Sequence, residues 1–115
     1  MRYMLLIYGD ESVDAAPGAP GWERLLSEYV AFGATLQNDR SLRGGDALQP
    51  TATAVSVRVR DGQALRTDGP FAETKEQLGG YYIVDCQDLD EALAWAARIP
   101  TAKTGAIEVR PIMEF

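Results

Sequence analysis

The chain has 115 residues, a net charge of −6 at pH 7, no histidine and a single cysteine, Cys86. That length suits one domain spanning 1–115, because two halves of under about 60 residues would each lack an adequate core. The missing histidine excludes His-based triads and His metal ligands, the lone cysteine excludes an internal disulfide or a Cys-rich zinc site, and the acidic balance argues against nucleic acid as a partner.

Arg2–Tyr8 reads as the first strand, with Tyr3, Leu5 and Ile7 on one face and Met4, Leu6 and Tyr8 on the other. Apolar residues on both faces indicate a central strand covered on both sides. Its apolar run, Met4–Tyr8, has five residues. A secretory signal needs roughly 7–15 and a membrane span about 20. The expectation is a cytoplasmic location with no membrane partner.

After a loop rich in Ala, Pro and Gly, residues Trp22–Asn38 form a helical pattern. Trp22, Leu25, Leu26, Tyr29, Phe32 and Leu36 recur at helical spacing and make the inward stripe. Leu42–Leu48 is a short strand whose Gly44-Gly45 pair suggests a bulge. Val55, Val57 and Val59 alternate with polar residues, the pattern of a half-exposed strand. Asp61-Gly62 then signals a hairpin. A strict two-residue turn would put Leu65 on the face opposite the valines. A three-residue loop including Gln63 sets Leu65 across from Val59, and is the expected register if the buried face decides it.

Asp68-Gly69-Pro70-Phe71 is turn chemistry, and Ala72–Gln77 is a polar stretch able to form a helical turn. Tyr81–Cys86 is the next strand, with Cys86 expected to be an inert buried thiol. Asp88 is a good N-cap with Glu91 as its capping-box partner. The helix that follows should turn Leu89, Ala92, Leu93, Ala96 and Ile99 inward and stop at Pro100. Ala106–Arg110 is the last strand, with Pro111 at a sheet edge.

The order is β-α-β, a hairpin insert, then β-α-β. This predicts a ferredoxin-like α+β fold, an antiparallel sheet with both helices on one face. The other face keeps Met4 and Leu6, and a bare apolar face of that size marks an interface. A homodimer with two sheets packed face to face follows.

Residues Thr67–Tyr82, TDGPFAETKEQLGGYY, closely resemble the YCII-related family, in particular its DGPF-domain branch. The opening MRYMLLIYGDE, the segment Leu42–Pro50, Asp88-Leu-Asp-Glu-Ala and Glu108-Val-Arg-Pro resemble the same family in the same order. The resemblance implies a dimeric α+β barrel. It also implies a sigma factor as a partner, since relatives sit beside or are fused to such factors, and one branch contains a dehydrochlorinase. In a better-studied branch a His on the first helix and an Asp form a dyad. This chain has no histidine, and an ungapped count from Gly44-Gly45 puts that position near Glu28.

Several sets of residues carry candidate chemistry. Asp68 and Glu28 are the candidate catalytic carboxylates, able to act as general base if their environment tunes them. Lys75 can neutralise an anionic ligand or an enolate, with Glu73 and Glu76 beside it in the same loop. The rival reading of this loop is a hydrogen-bonded turn with solvated ion pairs. Tyr8, Phe71 and Tyr81 are the aromatic candidates for ligand contact, with Tyr81 and Tyr82 on opposite sheet faces. Asp46, with Asp10 and Glu11, is an acidic set at strand ends, able to contact a ligand. It lacks EF-hand spacing, so no metal is expected. Neither glycine pair fits a phosphate loop, so no cofactor is expected. The preferred reading is a module binding a small polar or anionic metabolite. The alternatives are a lyase or isomerase using a carboxylate base, and a protein-interaction module.

Overall fold

β1 (Arg2–Gly9) lies in the interior of a four-stranded antiparallel sheet, between β5 (Gln77–Asp85) and β6 (Ala106–Pro111). A computed structural model describes all of residues 1–115. β2 (Leu42–Ala47) completes the sheet beyond β5, giving the order β2-β5-β1-β6. This is the ferredoxin-like α+β arrangement. Each helical crossover skips one strand, α1 (Trp22–Asn38) between β1 and β2, and α2 (Leu89–Arg98) between β5 and β6. β6 is an edge, which is where Pro111 is tolerated. The expected bulge in β2 falls between Leu42 and Gly44.

Both helices pack on one face. Tyr3, Leu5 and Ile7 of β1 join Val84 and Cys86 beneath Phe32 and Leu36 of α1 and Ala92, Trp95 and Ala96 of α2. Phe32 ties the layers together, edge-on to Tyr82 at 5.3 Å and to Trp95 at 6.2 Å between ring centroids. Edge-to-face pairs of this kind add about 0.5–1.5 kcal/mol beyond the area they bury. The helices also explain two departures from the periodicity. Trp95 is buried while Leu89 and Leu93 are exposed. The tryptophan offers the larger surface, so α2 rotates to sink it, and Arg98 stacks over its outer face at 4.9 Å. In α1, Leu26 is likewise exposed at the flank of the stripe.

α2 starts as its sequence dictates. The Asp88 carboxylate accepts from the Glu91 backbone N–H at 2.9 Å, and the Glu91 carboxylate accepts from the Gln87 N–H. The helix stops at Arg98 because Ile99, ahead of Pro100, is driven into extended backbone.

The hairpin is a separate sheet of β3 (Val55–Arg60) and β4 (Gln63–Asp68). Its register corrects the expected three-residue loop. Arg60 pairs with Gln63, and Leu65 lies opposite Arg58. Asp61 and Gly62 both have positive φ, 51° and 75°. That is the type I′ turn Asp-Gly favours. The hairpin buries neither face within the chain, so the turn sets the register unopposed. The 72–76 segment, expected as a helical turn, is irregular.

Truncating Leu5, fully buried under both helices, should cost about 2–5 kcal/mol as Leu5→Ala in urea unfolding. Burial pushes the Cys86 thiol up from 9.0 to about 11, and the nearby Glu91 and Asp85 carboxylates act in the same direction. The protonated thiol is the form the fold favours. Its contribution is therefore complete below the unfolded value and disappears as pH rises between about 9 and 11. Cys86→Ala should flatten that part of a stability–pH curve, and native Cys86 should resist a thiol reagent at pH 8 until urea unfolds the chain.

Candidate functional site

The alternation of β1 sends Tyr8 to the side away from the helices, in the row of Met4 and Leu6. Ala106 pairs with Tyr8 from β6. Above them the chain turns through residues 10–14, where the Asp10 backbone carbonyl accepts from the Val13 and Asp14 N–H groups. The Asp10 carboxylate accepts from both the Ser12 N–H and the Ser12 hydroxyl. These two bonds hold Asp10 below the usual carboxylate range, and Lys75 lowers it further.

A solvent-open cleft of about 720 Å³ forms here. Tyr8, Asp10, Val13 and Asp14 make one wall, Thr74, Lys75 and Glu76 another, and Thr104 and Ala106 the third. Its size is within the range of small-molecule sites, about 300–1,000 Å³. Three carboxylates face one ammonium, with threonine hydroxyls and a phenol between them. Such a lining accepts hydrogen bonds at most positions and donates them from Lys75, Tyr8 and the threonines.

A smaller cleft of about 440 Å³ adjoins it through Thr74, between Glu11, Thr51, Ala52, Gly69, Pro70, Glu73 and Gln77. Glu11 organises this side. Its carboxylate accepts from the Thr51 N–H and the Thr51 hydroxyl, both at 2.9 Å, and its own N–H donates to the Gln77 side chain at 3.0 Å. The hairpin starts directly beyond. Gly69 N–H donates to the Ala54 carbonyl at 2.7 Å, and the Ser56 hydroxyl donates to the Gly69 carbonyl.

The structure gathers some of the residues singled out from sequence and scatters others. Tyr8 and Lys75 line the larger cleft, and Glu73 lines the smaller one. Asp68 closes β4, exposed, one residue before Gly69. Phe71 stands 81% exposed on the same loop. Asp46 accepts from the Tyr81 hydroxyl at 2.8 Å on the sheet face that carries no helix, and this bond raises the Tyr81 phenol. Glu28 lies on α1, paired with Arg24 at 3.5 Å. Asp10, Glu11 and Asp46 do not converge: no three His, Cys, Asp or Glu residues come together as a cation site. Sequence reading set Glu76 beside Lys75 in the candidate loop, but gave no cleft role to Asp14, Thr74 or Thr104. Each is an ordinary loop residue until segments about 60 and 30 residues apart fold together, and only the acidic run after β1 marked the place.

A ferredoxin-like sheet with a polar cleft at the end of its central strand defines the class. The chain belongs to the YCII-related domain family, whose pattern it matches over residues 1–115. It is 41% identical over 114 residues to an uncharacterized protein of Rhizobium meliloti (strain 1021), covering 97% of this chain and 92% of that one. The structure is similar to 5-chloro-2-hydroxyhydroquinone dehydrochlorinase of Burkholderia phenoliruptrix AC1100, solved in complex with 2,5-dihydroxybenzoquinone. That match has a TM-score of 0.51 and 14% identity, covering 100% of this chain and 96% of the other. At that identity it establishes the shared fold.

Removing the Glu11 carboxylate leaves Thr51 without either partner. Each such bond contributes about 0.5–1.5 kcal/mol. Glu11→Ala should therefore speed hydrogen exchange at the Thr51 amide by about tenfold while leaving β1 and β5 protected.

Proposed function

We propose that this protein binds a small, uncharged, hydroxylated molecule in the cleft at the end of β1, and that it works as a pair of chains joined through the open sheet face. The observation that carries the reading is the double membership of Tyr8 and Ala106. They line the cleft and also belong to the sheet surface that the helices leave bare. A second sheet laid on Met4, Leu6, Tyr81 and Ile83 would roof the cleft as well as cover the apolar face. The lining favours a polyol or phenol over an anion, because Asp10, Asp14 and Glu76 outnumber Lys75. Lys75 would donate to a ligand oxygen and Tyr8 would stack on or hydrogen-bond to it.

The dehydrochlorinase neighbour favours a second reading, in which the bound molecule is a hydroxylated ring that undergoes lyase-type chemistry. The base is then the cleft carboxylate Asp14, since Glu28 and Asp68 line neither cleft, and Lys75 would stabilise an enolate. A pH–rate profile that stays flat between pH 5 and 8 would count against it.

The test is a thermal-shift screen at fixed protein concentration against hydroxylated metabolites, since the melting point of a pair depends on concentration. A ligand at 100 times its Kd adds about 2.7 kcal/mol, a shift of several degrees. Lys75→Ala and Tyr8→Phe should reduce the shift, and Leu6→Arg should yield single chains in sedimentation. A hit that survives both cleft substitutions removes the site. Silence across the library shifts weight to a protein partner, of which a sigma factor is the one the family resemblance suggests.

A further inference from the structure

The hairpin is the part of the molecule that the cleft does not use. Its strands run six residues, about 20 Å, and make no extensive packing with any other element. Val55, Val57 and Val59 share a face with Ala64, Arg66 and Asp68, while Arg58 and Arg60 lie on the other face with Leu65; Val57 and Val59 stay 60% and 61% exposed. A lone two-stranded ribbon is marginally stable in water at best. This one is nonetheless a regular ladder with a well-matched turn. It also carries Arg58, Arg60 and Arg66 against Asp61 and Asp68, and none of the three arginines pairs with an acid of its own chain. With a total charge of −6, the acidic excess lies on the rest of the chain.

The surface area indicates the partner. A folded monomer of 12.5 kDa exposes about 6,200 Å². This chain exposes 8226 Å², an excess of about 2,000 Å². Its radius of gyration is 15.9 Å, against about 13 Å for a domain of its length. Four strands of 8, 6, 9 and 6 residues give the open sheet face a footprint of only about 460 Å². Even doubled for surface relief, that face accounts for less than half of the excess. A standard interface takes about 800 Å² from each partner, and obligate ones take more.

We propose that the hairpin is an exchanged arm, its valine face, which also carries Arg66, laid on the body of a second copy of this chain, with Arg58 and Arg60 on its outer face. Two like-charged bodies repel, and an arm with one net positive charge from each onto the other offsets part of this. The foot of the arm, Gly69 and Pro70, is a wall of the smaller cleft, so the arm's placement and the shape of that cleft are coupled. The inference rests on the self-pairing proposed above, but it assigns a different surface.

The test is sedimentation velocity together with hydrogen exchange across a range of protein concentrations. The paired substitution Val57→Thr with Val59→Thr keeps β-branched side chains, so the ladder survives while its apolar face is lost. The expected result is at least a tenfold rise in the dimer Kd, with wild-type β3 and β4 amides slowing as concentration rises through that Kd. Wild-type dimers whose Kd ignores the double substitution, or whose hairpin amides exchange at one rate throughout, overturn the arm and leave the sheet-face pairing standing, to be tested by Leu6→Arg. Wild-type protein that stays a single chain at every concentration overturns both.

Discussion

β1 is apolar on both faces, and the fold covers only one of them. Two crossovers of the same hand, each skipping one strand, lay α1 and α2 on the same side of the sheet. Tyr3, Leu5 and Ile7 are sealed there with the aromatic contacts of Phe32. The alternation of a strand then leaves Met4, Leu6 and Tyr8 on the other side, whatever the loops do. The cleft inherits its floor from that uncovered row, and part of the excess of exposed surface has the same origin. Position in the fold, rather than a separate motif, makes Tyr8 a cleft residue.

The elements were legible where periodicity was strong. α1 falls on its expected residues Trp22–Asn38, and the Asp88 cap and the Pro100 stop behave as local chemistry requires. The failures share one cause, which is that tertiary packing chose between local options. On α2 two stripes compete, one through Leu89 and Leu93 and one through Trp95, and the larger side chain takes the core. In the hairpin the competition went the other way. No packing acts on it within the chain, so Asp61-Gly62 alone fixed the register and the argument from a buried face had nothing to act on.

The site was less legible than the fold. Tyr8, Lys75 and Glu73 were visible as aromatic or charged residues beside turn chemistry. Glu76 was visible with them, whereas Asp14, Thr74 and Thr104 come from three separate segments and bear no pattern of their own. The specific run Thr67–Tyr82 is informative in a different way. Much of it builds architecture. Gly69 and Pro70 form the foot of the hairpin, and Gly80 lets β2 approach β5, since a Cβ there would press on the Asp46 carbonyl oxygen at 2.9 Å. Its charged middle, Thr74-Lys75-Glu76, is the part that reaches the cleft.

That division bears on how the protein recognises a ligand. The motif brings an irregular segment, held only at its ends, across the mouth of a rigid strand. Gln77 anchors one end through the Glu11 N–H, and the Ala54–Gly69 bond anchors the other. Between these anchors the Thr74 hydroxyl bonds only to the Glu76 carbonyl two residues on, so Lys75 is carried on a short local turn and not on a helix or strand. A side chain so mounted could adapt to the ligand proposed above, while Tyr8 and Ala106, fixed in the ladder, could not. In the proposed site, shape selection would fall to the strand and hydrogen-bond donation to the loop, so that β1 supplies the rigid half of the cleft as well as the centre of the core.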